Sequence, residues 1–213
     1  MPHGWMPLVV AGVIALVCLL GFWELSEDFA SSHAVEAFDT AVSSAIQGAR
    51  GPVLTWIAIF VTTTGGTVVI TVLTVAGFVV LWRRRHDFAV YFAVAVAGGG
   101  LMTSLFKNRF VRPRPSAEFA LIRLPDSFSF PSGHSMASLS IAVAGGYLAL
   151  RSNLRPVAKA ALVAGLTILA LLVGWSRVYL GVHWPSDVLA SWLLGTAWLA
   201  LVIGVAEYRR RRM

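Results

Sequence analysis

One stretch of the sequence, residues 176–187, carries side chains suited to covalent phosphate chemistry. In this stretch Arg177 precedes His183 with five residues between them, and Asp187 follows after three more. Arginine can hold a phosphate with a fixed fork of N–H donors, and a neutral imidazole nitrogen is a nucleophile. Pro185 predicts that a helix begins here, and the i, i+4 spacing would let Asp187 orient the His183 ring and stabilise its cation. The stretch therefore indicates a histidine nucleophile beside a bound anion.

A second stretch, residues 131–134, reads Pro-Ser-Gly-His and places His134 at the expected start of a helix. Free backbone N–H groups at a helix start bind phosphate well, and Gly133 would let the backbone come close to it. Ser132 could donate its hydroxyl to the same oxygens or cap the helix. We interpret His134 as the general acid for the leaving oxygen and then as the base that activates water, with a plain helix-start residue as the alternative.

Two further cations, Lys107 and Arg114, are separated by six residues in the pattern Lys-x6-Arg-Pro. Pro113 and Pro115 stiffen the backbone around Arg114, which suits a preorganised phosphate cradle. Together with Arg177 these two cations would hold the phosphate, although each could instead anchor to lipid headgroups. We expect no metal and no other cofactor, because Asp, Glu and His form no cluster in the sequence suited to a divalent ion.

The three motifs Lys-x6-Arg-Pro, Pro-Ser-Gly-His and Ser-Arg-x5-His-x3-Asp resemble the signatures of the type-2 phosphatidic acid phosphatase family, which also includes the vanadium haloperoxidases. They match at every defined position and in the right order across residues 107–187. The resemblance implies a metal-independent hydrolase that hydrolyses the phosphate or pyrophosphate headgroup of a lipid through a phosphohistidine intermediate. A vanadate-dependent haloperoxidase and a non-enzymatic lipid transporter are the alternatives.

The resemblance points to two bacterial lipids, undecaprenyl pyrophosphate and phosphatidylglycerophosphate, with phosphatidic acid as a third candidate. A pyrophosphate carries more negative charge than a diester-linked monophosphate. Arg109, Arg112 and Arg123 lie in the same loop as the motif cations and could hold the second phosphate. We therefore favour undecaprenyl pyrophosphate, although these arginines could equally contact anionic lipid.

The composition predicts a chain that is embedded in a membrane. Hydrophobic residues make up 57% of the 213 residues, and charged residues make up only 13%. A soluble domain usually carries about 25% charged residues. A spanning helix needs about 20 mostly apolar residues. Five uncharged runs have a suitable length, namely residues 4–23, 88–106, 127–150, 160–176 and 188–206. The run 51–82 is too long for one simple span, which predicts that it includes an interfacial helix as well. We therefore predict an all-α, polytopic membrane protein with six transmembrane helices.

The net charge of +7 does not indicate nucleic-acid binding, because the basic clusters flank apolar runs. Residues 83–85, 151–155 and 209–212 carry these arginines, which the positive-inside rule assigns to the cytoplasm. Counting spans then puts the catalytic site at the outer ends of the helices, on the extracytoplasmic face of the cell membrane, with the C-terminus inside. The loop at residues 107–131 carries five cations on that outer face, where basic residues are disfavoured, which predicts that the loop binds an anion.

We interpret residues 1–213 as a single membrane-embedded phosphatase domain. It has a polar outer loop at residues 24–51 and catalytic loops at residues 107–134 and 176–187. Apolar residues recur at helical spacing in the polar outer loop, which predicts an amphipathic helix on the membrane surface, with a solvated loop as the alternative. A lipid phosphate and the bilayer are the expected partners, and the oligomeric state is left open.

Two clusters of small residues lie within the apolar runs. Residues 62–67 read Thr-Thr-Thr-Gly-Gly-Thr, which predicts close helix packing, with a place on the rim of the active site as the alternative. Residues 98–100 are three glycines, which predict either a hinge for entry of a lipid tail or dense packing. The first apolar run has no Lys or Arg before it and no clean cleavage site after it, so we favour an uncleaved span over a signal peptide.

Overall fold

The computed structural model describes residues 4–28 and 32–212. Within those ranges it contains no β-strand, and its α-helices are α1 (Met6–Asp28), α2 (His33–Gly48), α3 (Pro52–Thr64), α4 (Thr67–Trp82), α5 (His86–Arg109), α6 (Gly133–Leu150), α7 (Pro156–Tyr179) and α8 (Pro185–Arg210). This arrangement confirms the all-α prediction. The predicted domain ends at residues 1–3 and 213, and residues 29–31 of the polar outer loop, lie outside the described residues.

Four helices, α1, α5, α7 and α8, are each long and apolar enough to cross a membrane. The helices α3 and α4 pass the same test together as a pair bent by 44°, which gives up to five candidate spans in the described chain. In the apolar windows of α1 and α7 only 17% of the residues are buried inside the protein. The remaining apolar surface needs lipid around it, so the chain has the surface of a multi-pass membrane protein.

The helix α6 occupies the middle of the bundle and packs against α4, α5, α7 and α8. Half of its 18 residues are buried, and most of the buried ones are Ala, Ser or Gly. Small side chains let helix backbones approach closely. Neighbouring helices shield much of α6 from lipid, and by length and composition it is not among the candidate spans of the described chain.

The first helix, α1, packs along the last one, α8. The two backbones come so close that a Cβ atom added at Gly204 would lie 2.5 Å from Cβ of Ala11. The ring of Phe22 in α1 also contacts the rings of Phe106 and Phe130, with centroids 5.0 Å and 5.7 Å away. These contacts tie α1 to the end of α5 and to the loop that precedes α6.

The amphipathic helix predicted in the polar outer loop is α2, so the helical interpretation is confirmed. Ser32 caps this helix, because its Oγ accepts a hydrogen bond from the Ala34 N–H at 3.3 Å. The helix packs on α7 and α8, and it buries Asp39 and Ser43. Part of its polar face is therefore turned towards the protein, which the spacing of the apolar residues did not indicate.

The two clusters of small residues have different roles. Residues 62–67 span the bend between α3 and α4, where Thr62 contacts Arg177, so this cluster lies beside the third motif and not only in a packed helix. The helix α5 runs without a break through the three glycines. A Cβ atom at Gly98 would lie 2.2 Å from the Trp198 ring, so dense packing and not a hinge accounts for this residue.

Candidate active site

The three motifs meet at one end of the helix bundle. Lys107 lies in the last turn of α5, His134 in the first turn of α6, and Arg177 in the last turn of α7. Arg114 lies in the loop between α5 and α6, and His183 lies in the loop between α7 and α8. His183 feels the electrostatic effect of each of the other residues, Lys107, Arg114, His134 and Arg177. The helix ends therefore bring residues that are distant in the sequence into one site.

Asp187 holds the His183 ring in the way that the spacing predicts. Pro185 is the first residue of α8, and Asp187 lies fully buried in the first turn. Its Oδ2 accepts from the Trp184 N–H at 2.9 Å and lies 3.2 Å from Nδ1 of His183. On the other side of the ring, Nε2 lies 3.2 Å from Nη1 of Arg114. A guanidinium only donates, so Nε2 accepts, and the Nδ1 proton faces the carboxylate.

The surroundings of His183 favour its neutral form. The residue is 2% exposed, and burial together with Arg177, Arg114 and Lys107 holds its pKa well below the usual range for histidine. A neutral imidazole keeps the Nε2 lone pair that a nucleophile needs. Asp187 acts in the opposite direction and stabilises positive charge on the ring once that charge develops.

Arg177 is a buried cation with an unused donor. The residue is 2% exposed, and its Nη1 donates to Oγ1 of Thr62 at 2.6 Å. Its Nε has no hydrogen-bond partner among the residues that the structure describes. A buried donor without a partner is costly, and a bound anion would satisfy it. The side chain therefore has the geometry of a phosphate ligand.

Lys107 and Arg114 are held by backbone carbonyls. The Nζ of Lys107 donates to the Phe128 carbonyl at 2.5 Å. The Nη1 of Arg114 donates to the Val182 carbonyl at 2.6 Å, and its Nε donates to the Ser127 carbonyl at 2.8 Å. These bonds fix both cations near the buried imidazole before any anion binds, as preorganised electrostatic stabilisation requires.

The Pro-Ser-Gly-His motif forms the start of α6, as predicted. Ser132 is the N-cap residue, but its Oγ accepts from Oγ of Ser135 at 3.0 Å and not from a helix N–H. The Ser132 N–H donates to the Asp187 carbonyl at 3.3 Å, which ties the start of α6 to α8. The half-buried His134 lies beside the bend between α3 and α4, since a Cβ atom at Gly66 would lie 3.8 Å from its Nε2.

Arg112 is not available for a second phosphate, which corrects one part of the interpretation drawn from the sequence. The residue is 7% exposed. Its guanidinium donates to Oδ1 of Asp187 and to Oδ2 of Asp39, both at 2.6 Å, and to Oγ of Ser186 at 2.7 Å. The sequence shows only an arginine in a basic loop, whereas its pairing depends on a carboxylate that α2 contributes. Sequence reasoning missed Asp39 for the same reason.

A tight turn carries the chain from Arg177 to His183. Gly181 in this turn has a φ of 70°, a left-handed conformation that favours glycine. Arg50 secures the turn, because its Nη2 donates to the Tyr179 carbonyl at 2.7 Å. Arg50 lies far from the motifs in the sequence, so no local pattern indicates this contact.

The chemistry of the site follows from its charges. The described part of the chain has no group of three or more His, Cys, Asp or Glu side chains that could hold a metal ion. The site instead sets three cations around an oriented imidazole. Such an arrangement can bind a phosphoryl group and attack it covalently.

A sequence model of the PAP2 superfamily matches residues 88–211, which are more than half of the chain and contain all three motifs. The chain belongs to the PAP2 superfamily. This assignment confirms the resemblance drawn from the motifs. As a PAP2 protein, the chain is a hydrolase of the lipid phosphatase type.

Two relatives of this PAP2 chain are named for different substrates. Phosphatidylglycerophosphatase B of Bacillus subtilis is 31% identical over 185 residues, which are 84% of this chain and 89% of that protein. An undecaprenyl-diphosphatase of Sulfolobus acidocaldarius is 33% identical over 136 residues, which are 60% of this chain and 59% of that protein.

A solved structure extends the similarity to the fold. The crystal structure of a transmembrane PAP2-type phosphatidylglycerolphosphate phosphatase from Bacillus subtilis matches with a TM-score of 0.79 and 30% identity, covering 90% of this chain and 94% of that one. The chain therefore has the PAP2 membrane phosphatase fold.

Proposed function

We propose that the chain hydrolyses the phosphate or pyrophosphate headgroup of a membrane lipid, releasing its terminal phosphate through a phosphohistidine on His183. The observation that carries the proposal is the orientation of this ring, with Nδ1 3.2 Å from Asp187 and Nε2 3.2 Å from Arg114. This orientation turns a neutral Nε2 lone pair towards the cations that would hold the phosphoryl group.

Three cations and the start of α6 bind the phosphoryl oxygens in this proposal. Lys107, Arg114 and Arg177 supply charged donors. The backbone N–H of Gly133 and the hydroxyl of Ser132 add neutral donors at a helix start. Together they balance the negative charge that gathers in the transition state, so no metal ion is required.

The reaction then proceeds in two steps. The Nε2 of His183 forms a bond to phosphorus while the bond from phosphorus to the leaving oxygen breaks, and His134 gives that oxygen a proton. Asp187 stabilises the positive charge that forms on the ring. In the second step His134 takes a proton from water, the water oxygen bonds to phosphorus, and the P–N bond breaks to release phosphate.

We also propose that residues 1–213 form one membrane-embedded domain with six spans, contributed by α1, the α3–α4 pair, α5, α6, α7 and α8. The arginines at residues 83–85, 151–155 and 209–212 lie at the helix ends opposite the motifs. The positive-inside rule favours the cytoplasm for these ends. The site would then open on the extracytoplasmic face of the cell membrane, with the C-terminus in the cytoplasm.

Single cysteines test this orientation. In a Cys18→Ser background, Ser116→Cys should react with an impermeant thiol reagent added outside intact cells, because Ser116 is exposed in the α5–α6 loop. Asn153→Cys, exposed in the α6–α7 loop, should react only after the membrane is permeabilised. The opposite labelling pattern would reverse the proposed orientation.

Two lipids fit the proposed reaction. The relative named phosphatidylglycerophosphatase B matches over most of both chains, which favours phosphatidylglycerophosphate. Arg109 and Arg123 are exposed in or beside the α5–α6 loop and could receive a second phosphate, which favours undecaprenyl pyrophosphate even without Arg112. The second phosphate adjoins the first in the pyrophosphate, whereas in phosphatidylglycerophosphate it is a diester separated from the terminal phosphate by glycerol. In this proposal the pyrophosphate therefore depends more on the pair of exposed arginines.

The purified protein should release inorganic phosphate from at least one of these lipids, and excess chelator should leave the rate unchanged. We expect Arg109→Gln combined with Arg123→Gln to lower kcat/KM on undecaprenyl pyrophosphate by about 10-fold more than on phosphatidylglycerophosphate, as loss of two exposed charge contacts allows. Equal losses on both lipids would remove the second-phosphate argument. Failure to release phosphate from either lipid would contradict the proposed function. Oxidation of bromide with added vanadate, without release of phosphate, would contradict it as well.

A further inference from the structure

A buried carboxylate on α2 reaches the catalytic pair from outside the three motifs. Asp39 is 2% exposed. Its Oδ2 accepts from Nη2 of Arg112 and from Oγ of Ser186, both at 2.6 Å, and its Oδ1 accepts from the Ser186 N–H at 2.8 Å. The Nη1 of Arg112 donates to Oδ1 of Asp187 at 2.6 Å. A continuous chain of hydrogen bonds therefore runs from α2 to the residue that orients His183.

The charges along this chain do not cancel. Asp39 and Asp187 are two carboxylates, and the same guanidinium of Arg112 bonds both of them. Counted over Arg112, Asp39 and Asp187 alone, the network carries one net negative charge, and Asp187 presents it to the ring of His183. Without Asp39, the guanidinium would neutralise Asp187 alone, and less negative charge would face the imidazolium that forms during attack. Burial strengthens this effect, because the local dielectric constant is low.

We propose that Asp39 is a positioning residue for the pair of His183 and Asp187, and that it acts through Arg112 and Ser186. Asp39 preserves the negative charge of that pair. It also fixes the Asp187 carboxylate, because it holds Arg112, which donates to Oδ1 of Asp187. This inference rests on the proposed phosphohistidine reaction. According to this inference, a residue of α2 affects the rate of the chemical step, although Asp39 lies in none of the three motifs.

A structural clamp is the competing explanation, since the same bonds hold α2 against α8. The two explanations differ in what they control. A clamp changes the fraction of folded protein, whereas a positioning residue changes kcat of the folded molecules. The three cations proposed to bind phosphate are held by other partners, namely the Phe128 carbonyl, the Val182 carbonyl and Thr62. A positioning role therefore predicts an effect on kcat and little effect on KM.

The test compares four purified proteins, the wild type and three variants, on a lipid phosphate. Asp39→Asn keeps the side-chain shape but removes the charge, and we expect kcat to fall about 10- to 100-fold with KM within about 3-fold. Ser186→Ala removes only the hydroxyl between Asp39 and Arg112 and should lower kcat by a smaller factor. Ser43→Ala is the matched control, because Ser43 is buried one turn further along α2 and its Oγ has no partner in the described chain.

Each protein is assayed at a matched concentration of folded molecules, and its Tm is measured separately. An unchanged kcat in Asp39→Asn and Ser186→Ala with a lower Tm would overturn the inference in favour of a clamp, while the proposed function stands. A raised KM with unchanged kcat would overturn it as well. If Asp39→Asn does not fold, the kcat of Ser186→Ala decides between the positioning role and the clamp. Failure of the wild-type protein to release phosphate would overturn the proposed function, and the inference with it.

Discussion

Replacing His183 by alanine is expected to abolish both turnover and the phosphoenzyme. Without Nε2 no covalent bond to phosphorus can form, and loss of a nucleophile or its base typically lowers kcat by about 10⁴-fold or more. Asp187→Asn should also lose most of its activity, because the ring would no longer face a carboxylate. Phosphate release is measured together with the label that a radiolabelled lipid phosphate leaves on the quenched protein.

The matched control is His86→Ala, which removes an imidazole at the opposite end of α5. His86 stacks on Trp82 with ring centroids 4.4 Å apart, away from the three motifs. This variant should retain wild-type turnover and labelling. Normal turnover by His183→Ala in the same assay would rule out His183 as the nucleophile.

The second large effect is expected for His134→Ala, which should lower turnover of lipid substrates by about 10²- to 10⁴-fold, as loss of a general acid does. A substrate with a good leaving group, such as p-nitrophenyl phosphate, needs no proton at the leaving oxygen. The first step should then proceed, whereas the second should stall because no base activates water. We expect a burst of about one nitrophenolate per protein and a stable phosphohistidine.

The burst also identifies the residue that carries the phosphate. His134→Ala combined with His183→Ala should give no burst, because the double variant has no nucleophile. Steady turnover of both kinds of substrate by His134→Ala would instead show that another group supplies the proton. A burst that persists in the double variant would place the phosphate on another side chain.

The local part of the site could be predicted because its residues are close along the chain. Asp187 follows His183 by about one helical turn, and Pro185 marks the start of the helix. His183 lies just before the helix and Asp187 in its first turn, so their contact follows from this short separation at a helix start. The position of His134 in the first turn of α6 follows in the same way from the motif and the apolar run behind it.

Contacts between distant segments could not be predicted from one sequence. Asp39 and Arg112 are 73 residues apart, and Thr62 and Arg177 are 115 residues apart. Periodicity reveals the polar face of α2, but it does not reveal whether that face meets water or protein. Composition does not fix the number of spans for a related physical reason, because a helix such as α6 that is shielded by protein needs less apolar surface than one in lipid.

The pairing of α1 with α8 joins two helices at opposite ends of the described chain, so it forms only after α8 has been synthesised. The ribosome completes α1 well before α8, so the first helix enters the bilayer without the partner against which it packs. Phe22 likewise lacks its aromatic neighbours until α5 and the loop before α6 have been made. Because Asp187 belongs to α8, a nascent chain that stops before α8 lacks the carboxylate that contacts the His183 ring. In such a chain the site has neither that carboxylate nor the close packing of α8 against α1.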